Sequence, residues 1–339
     1  MFFNRKKLNN ILGVILITSF LFCWGLSNYK IALPESGVSL DIKEGESVNT
    51  IASHLSQAGI IRFPEIFKLW LAWHGHLRDL KAGNYDFQGD VSISAVASKI
   101  ANGQTNPAFK VTIPEGFNLF DVKALLIEKK FISRGDKFDL SLLTDDEKAA
   151  YSFLTKWGTD NPEGLLYPDT YFLNPHMTSK EILVTMLDNF NRKVYQPLEK
   201  ELEDSHSSFK DNMILASLLE KEVVSYQDRK LVAGILEKRI VLGMPLQVDS
   251  TICYIKESNG ADSCNLTNND FKSNSLYNTY KYPGLPPTPI CNPSLEAIKA
   301  VLTPQKSNYL YYLSSQKDSR TIFAKTYQEH LLNKAKYIK

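Results

Sequence analysis

Histidine and cysteine are scarce in this chain of 339 residues, with six and four copies, and neither is arranged for metal or thiol chemistry. His54, His74, His76, His176, His206 and His330 form no HExxH pattern, which argues against a zinc peptidase or amidase. The interval between Cys253 and Cys264 is foreign to zinc sites, and no histidine stands beside them at ligand spacing. A thiol nucleophile is disfavoured because no cysteine has a plausible histidine in its local sequence. An excess of one charge is also missing: 39 basic against 37 acidic residues leave +2, no footprint for nucleic acid. No low-complexity tract interrupts the chain, and 43% hydrophobic with 22% charged residues describes a folded protein. Nothing calls for a cofactor.

Long apolar runs are absent but for one. Ile11 to Leu26 carries no charged residue, follows Arg5-Lys6-Lys7, and is closed by Trp24 and Tyr29. With its flanks it can cross a hydrocarbon core of roughly 30 Å at about 1.5 Å per residue. The expectation is a cytoplasmic basic N-terminus at 1–10, a transmembrane anchor at 11–29, and export of everything beyond. That is a single-pass inner-membrane protein with a periplasmic catalytic domain. A cleaved signal would need an A-x-A-like site, which does not follow the run, and Cys23 lacks the small preceding residue of a lipoprotein. Export permits one disulfide among Cys253, Cys264 and Cys291, and spacing does not choose the pair.

Leu40 to Leu55 reads as a strand, a turn at Gly45, and a helix with Val48, Ile51 and Leu55 inward. Aligning Glu44-Gly45 with Glu115-Gly116 pairs these with Leu119, Val122 and Leu126, and Ile61 with Ile132, a weak internal repeat. Pro64 to His74 suggests a helix whose Trp70 and Trp73 either line a sugar surface or belong to the core. Lys137 to Asp160 looks helical and polar, and Ile182 to Leu202 a long amphipathic helix. Further helices are expected from Asp211 or Asn212, at about 228–242 and near 294–302, with a strand around Tyr309 to Leu313. The fold class is α+β: a small module at about 38–105 and a larger α+β domain at 106–339, with its catalytic core at about 160–339.

Within Met213-Ile-Leu-Ala-Ser-Leu-Leu-Glu-Lys-Glu222-Val, Leu215, Leu218, Leu219 and Glu222 fall at i, i+3, i+4 and i+7, while Glu220 points elsewhere. A carboxyl at the end of a buried stripe loses hydration, and its pKa rises to where it both donates and accepts a proton near neutrality. Spacing alone also fits a frayed helix end whose Glu reaches solvent. Beyond it, Leu246-Gln-Val-Asp-Ser-Thr, Tyr277-Asn-Thr-Tyr and Gly284-Leu-Pro-Pro-Thr-Pro-Ile-Cys-Asn-Pro carry amides and hydroxyls on stiff backbone. These suit recognition of sugar hydroxyls, or simple turn chemistry.

The strand-turn-helix unit resembles LysM-like modules that bind N-acetylglucosamine-containing glycans, and an ordinary small α+β module fits it as well. The chain as a whole resembles the YceG-like (MltG-like) endolytic murein transglycosylases. The resemblance rests on the basic N-terminus and anchor, Gly164-Leu-Leu-Tyr-Pro-Asp-Thr-Tyr, Leu215 to Glu222, Gly243-Met-Pro-Leu-Gln-Val-Asp, Tyr277-Asn-Thr-Tyr, Gly284-Leu-Pro-Pro and the Tyr-rich terminal strand. It implies cleavage of the MurNAc-GlcNAc β-1,4 bond of membrane-proximal strands, leaving 1,6-anhydroMurNAc ends, with Glu222 as general acid and then base. Gln247, Asp249, Tyr277, Asn278 and Tyr280 are the expected substrate-binding residues. Peptidoglycan strands, the membrane and peptidoglycan synthases are the expected partners. Two departures stand out: Val223 sits where related enzymes commonly carry Ser or Thr, and Pro245 with Val248 alters the Gln-x-Asp block. A noncatalytic tethered glycan-binding protein and a hydrolytic muramidase are the competing readings.

Overall fold

The computed structural model describes residues 18, 24–34, 37–78, 80–103, 109–175, 177–261, 263–315 and 320–337. The expected anchor therefore lies almost wholly outside the described residues, and among those described no helix is long and apolar enough to cross a membrane. The chain divides between Ala108 and Phe109 into two compact units, each with its own buried core.

The smaller unit runs β1 (Lys30–Ala32), β2 (Val38–Ile42), α1 (Val48–Gln57), α2 (Pro64–Trp73), β3 (Gly83–Phe87), β4 (Asp90–Ser92) and α3 (Ile93–Ala101). Antiparallel β2 and β3, in register from Val38 opposite Phe87 to Ile42 opposite Gly83, bracket the two helices. Gly45 takes φ +81°, the left-handed turn that glycine adopts without steric cost, and Ser47 then caps α1 through the N–H of Thr50. Ile51, Leu55, Phe67 and Leu71 form the seam between the helices. Trp70 is half-buried and stacks on the His74 ring at 3.8 Å, so it joins the core edge, whereas Trp73 is 75% exposed.

The larger unit repeats the opening pattern with β5 (Phe109–Thr112), a left-handed turn at Gly116 and α4 (Leu119–Glu128). Here Val122, Leu126 and Ile132 are buried as Ile51, Leu55 and Ile61 are in the first copy. Then follow the short α5 (Asp145–Ala149) and α6 (Ser152–Thr155), β6 (Thr170–Leu173) paired with β5, α7 (Ser179–Phe190), α8 (Gln196–Glu203), α9 (Phe209–Glu222) and α10 (Tyr226–Val241). The chain ends in α11 (Asp249–Ser258), α12 (Leu295–Leu302), the antiparallel pair β7 (Tyr311–Ser314) and β8 (Thr321–Ala324), and α13 (Tyr327–Tyr337). Small sheets among many helices make this an α+β fold.

Three expectations need correction. The polar helix read at 137–160 is broken into a 3-10 turn, α5 and α6, because Asp139 and Thr144 each cap a new element through their side chains, and Leu143 and Tyr151, with extended backbone, separate the pieces. The helix read at 182–202 is interrupted by a π turn at Asn191–Tyr195, which puts Val194 and Tyr195 into the core. The helix bearing Glu222 begins at Phe209, one turn earlier than its polar flank suggested. Ser208 caps it through the N–H of Asp211 at 3.1 Å, and the Phe209 ring is drawn among Phe153, Trp157, Phe190 and Tyr195.

α10 is held close to the segment after α12. A Cβ on Gly234 would lie 2.4 Å from the Gln305 carbonyl oxygen, and the Gln305 N–H donates to Lys230 O at 2.9 Å, so neither backbone is free to retreat. Gly234→Ala, which in an exposed helix adds stability, is here expected to cost about 2 kcal/mol through overpacking. A melting midpoint lowered by about 4–8 °C checks this, and an unchanged or raised midpoint refutes it.

Candidate active site

α9 is buried on every side from Met213 to Leu219, so its last turn is the first place where a charged side chain can reach a surface. Two carboxylates emerge there, with opposite surroundings. Glu220 is enclosed, its side chain only 6% exposed, and is paired with Arg229 at 2.9 Å. Its other oxygen accepts from the N–H and hydroxyl of Ser294, the cap of α12. Arg229 donates onward to Val223 O and Ser294 Oγ. Glu220 is thus buried as well as off the stripe, and it ties α9, α10 and α12 together.

Glu222, the final residue of α9, is part-buried and has no cation among its hydrogen-bond partners. Its Oε1 accepts from the Ser250 hydroxyl at 2.9 Å and, at 3.4 Å, from the Ser250 N–H in the first turn of α11. Oε2 receives no hydrogen bond among the described residues. Burial raises the pKa to about 7 against the pull of the Ser250 hydroxyl, and the charge of Asp249 pushes the same way as burial. Asp249, exposed at the start of α11, accepts a hydrogen bond from Tyr280 OH. Strand β7 closes another side: Ser314 Oγ donates to the Glu222 carbonyl at 2.8 Å. Tyr312, two residues earlier on the same strand face, has its phenol ionisation opposed by burial and by the charge of Glu222.

Gln247 stands just before α11 with φ +54°, a conformation uncommon for a residue with a side chain. Its N–H donates to Thr279 O at 3.0 Å, and the flanking Leu246 carbonyl accepts from Arg239 at 2.7 Å. The side chain of Gln247 is left exposed. Asn278 is fully buried. Its amide hydrogens go to Phe271 O and Ser273 O, and its Oδ1 accepts from the Tyr280 N–H, so it shapes the loop that presents Tyr280. Tyr277 turns away, donating to or accepting from Thr288 Oγ1 at 2.7 Å and packing on Tyr254. The structure therefore brings Asp249 and Tyr280 to Glu222, leaves Gln247 exposed just before the same helix α11, and gives Asn278 and Tyr277 supporting places. Spacing did not reveal Ser250, Tyr312 and Arg239. Adjacency to Asp249 marks the first, and the Tyr-rich strand marks the second.

A second buried carboxyl belongs to the framework. Glu163 has no solvent exposure and accepts from the Leu119 N–H, Tyr254 OH and Asn292 Nδ2, and burial pushes its pKa up to about 8. Asn292 is the centre of this knot: its Oδ1 accepts from the N–H groups of Gly164 and Leu166, each at 2.9 Å. Gly164 has φ +93° with Pro289 packed where a Cβ would be. Of the cysteines, Cys253 and Cys264 form a disulfide, which resolves the pairing that spacing left open, and Cys291 is buried and free. In the smaller unit a cavity of about 340 Å³ lies between the Lys43–Ser47 turn and Leu77, Arg78 and Leu80.

Comparison with known proteins agrees with this architecture. The chain is 29% identical over 318 residues to the endolytic murein transglycosylase of Bacillus subtilis, covering 89% of this chain and 85% of that one. It is 27% identical to the endolytic murein transglycosylase of Streptococcus pneumoniae serotype 2, over 89% of this chain and 58% of that longer protein. The crystal structure of a YceG-like protein from Listeria monocytogenes superposes with a TM-score of 0.58 at 28% identity, covering 88% of this chain and 99% of that one. Residues 40–336 match the model of the YceG-like family, and the chain belongs to that family.

Proposed function

We propose that this protein is an endolytic lytic transglycosylase that cuts the MurNAc-GlcNAc β-1,4 bond of peptidoglycan strands. The observation carrying the reading is a desolvated carboxyl without a cationic partner, Glu222, with one oxygen fixed by Ser250 and the other open. The names of the relatives support the substrate class. With a pKa of about 7, Glu222 is present in both forms at neutral pH, as one group serving as acid and then base requires. In the first step its proton passes to the glycosidic oxygen as the C1–O4 bond breaks, leaving positive charge at C1. In the second the muramoyl C6 hydroxyl closes onto C1 and returns its proton to Glu222, giving the 1,6-anhydro end. No water is consumed. The nucleophile belongs to the substrate, so orientation supplies much of the acceleration. Gln247, Asp249 and Tyr280 would hold the sugars, a role supported by the exposed Gln247 side chain and by the Tyr280–Asp249 hydrogen bond beside Glu222.

In this reading residues 11–29 are a retained anchor, the N-terminus is cytoplasmic, and both units face the periplasm. The Cys253–Cys264 disulfide supports an oxidising compartment. Tethering restricts cutting to strands near the membrane, where peptidoglycan synthases work. The helix pair bracketed by β2 and β3, with its 340 Å³ cavity, supports glycan binding by the smaller unit as a LysM-like module.

Mass spectrometry of uncrosslinked glycan strands after incubation tests the reaction. New anhydromuramoyl ends are expected, whereas reducing ends would identify a hydrolytic muramidase using a second carboxylate such as Asp249. The pH profile is a separate check. The reactive form is protonated, so turnover should fall about tenfold per pH unit above pH 7, with no acid limb from a separate ionised base. A bell with a limb on the acid side would contradict the single-carboxyl scheme.

A further inference from the structure

Glu222 is approached by Asp249 and Ser250 from α11, Tyr280 from the loop that Asn278 shapes, Tyr312 from β7, and Arg239 beyond them from α10. Of these only Ser250 is hydrogen-bonded to its carboxyl, and both of its donors reach the same oxygen. The residue following Glu222 is Val223, whose side chain has no hydroxyl and is buried in the core.

We propose, on the reading of Glu222 as the acid, that Ser250 is a positioning residue that assigns the catalytic proton to Oε2 and keeps Oε1 an acceptor throughout the reaction. A backbone N–H can only donate, so an oxygen that faces it serves as an acceptor in the neutral and ionised carboxyl alike. The Ser250 hydroxyl reinforces the choice at 2.9 Å. The neutral acid is therefore poised with its O–H on the unbonded side, and the same oxygen takes back the proton from the sugar hydroxyl. The hydroxyl that Val223 does not supply arrives from the opposite element, the first turn of α11. Because that turn follows the left-handed Gln247 and is pinned through Leu246 to Arg239, the donor is held rigidly.

The clamp also makes a prediction of its own. A hydrogen bond given to the ionised form favours that form, so its loss raises the pKa. Full-length protein with ¹³C-labelled glutamate carboxyls, its Glu222 resonance identified by disappearance in Glu222→Gln, is titrated as wild type, Ser250→Ala and Ser250→Thr. Wild type is expected to titrate at about 7. Ser250→Ala should titrate about 0.5–1 pH unit higher, and Ser250→Thr should restore the wild-type midpoint. On glycan strands, Ser250→Ala should lose about tenfold in kcat with KM little changed, and Ser250→Thr should recover most of it. An unmoved midpoint in Ser250→Ala, or a Thr variant as impaired as Ala, overturns the proposal. The titration needs no catalysis, so inactive wild type with the expected shift would refute the transglycosylase reading and leave the clamp standing.

Discussion

Glu222→Gln is expected to abolish strand cleavage, with a loss of at least ~10²–10⁴-fold, while glycan binding is retained. Gln is isosteric and its carbonyl oxygen can accept from Ser250 as Oε1 does, so the site keeps its shape and loses only its proton. The substitution has a second, opposite effect. Burial lifts the folded-state pKa from the ordinary 4.5 to about 7, so the stabilisation tied to the protonated form is complete below the ordinary carboxylate range and is lost as pH rises through about 7. Gln does not ionise. The variant should therefore be more stable than wild type above pH 7, by about 3 kcal/mol, with the difference gone near pH 4. Denaturant unfolding at the two pH values, beside the glycan assay, measures both effects. Wild-type cleavage by the variant would remove Glu222 from the mechanism, and reduced stability at high pH would show that the carboxylate is paired after all.

Glu220→Ala, two residues away, should do the reverse. It leaves Arg229, whose side chain is 7% exposed, without its buried carboxylate and leaves the Ser294 N–H without an acceptor. The expected cost is about 3–5 kcal/mol of the large unit's stability. Protein that remains folded should still cleave, because Glu222, Ser250 and Asp249 are untouched. Replacing both partners, Glu220→Met with Arg229→Met, should recover much of the loss, since no lone charge is then left in the interior. A loss under about 1 kcal/mol in the single variant would show that the pair contributes little. So would a double variant no better than the single.

These two acids show how far the sequence could be read. The i, i+3, i+4, i+7 spacing singled out Glu222, and the structure does put it at the end of the buried helix. Yet the same helix is apolar all round, Glu220 is enclosed as well, and what separates them is pairing: Arg229 reaches one and Ser250 the other. Pairing is made by residues distant in the chain and leaves no periodic trace. The strand-turn-helix openings were legible because glycine and apolar spacing fix them locally. The π turn was not, because it follows from where Tyr195 finds space in the core. Tyr277, Asn278 and Tyr280 share one segment, yet Tyr280 bonds to Asp249, Asn278 to the loop backbone and Tyr277 to Thr288. Neighbouring positions thus acquire different work from the direction each side chain takes.

The knot around Asn292 sets an order of events. Its side chain and backbone bond to Phe117, Gly164 and Leu166, which precede it by 126 to 175 residues, and Glu163 is sealed beneath it. Such distant closures are slow, because chain entropy is lost before contacts repay it. During vectorial synthesis, the segments around 117 and 164 must wait until Asn292 has emerged. The larger unit is consequently assembled late, so a molecule cut short before Asn292 carries Glu222 but not the framework that surrounds it.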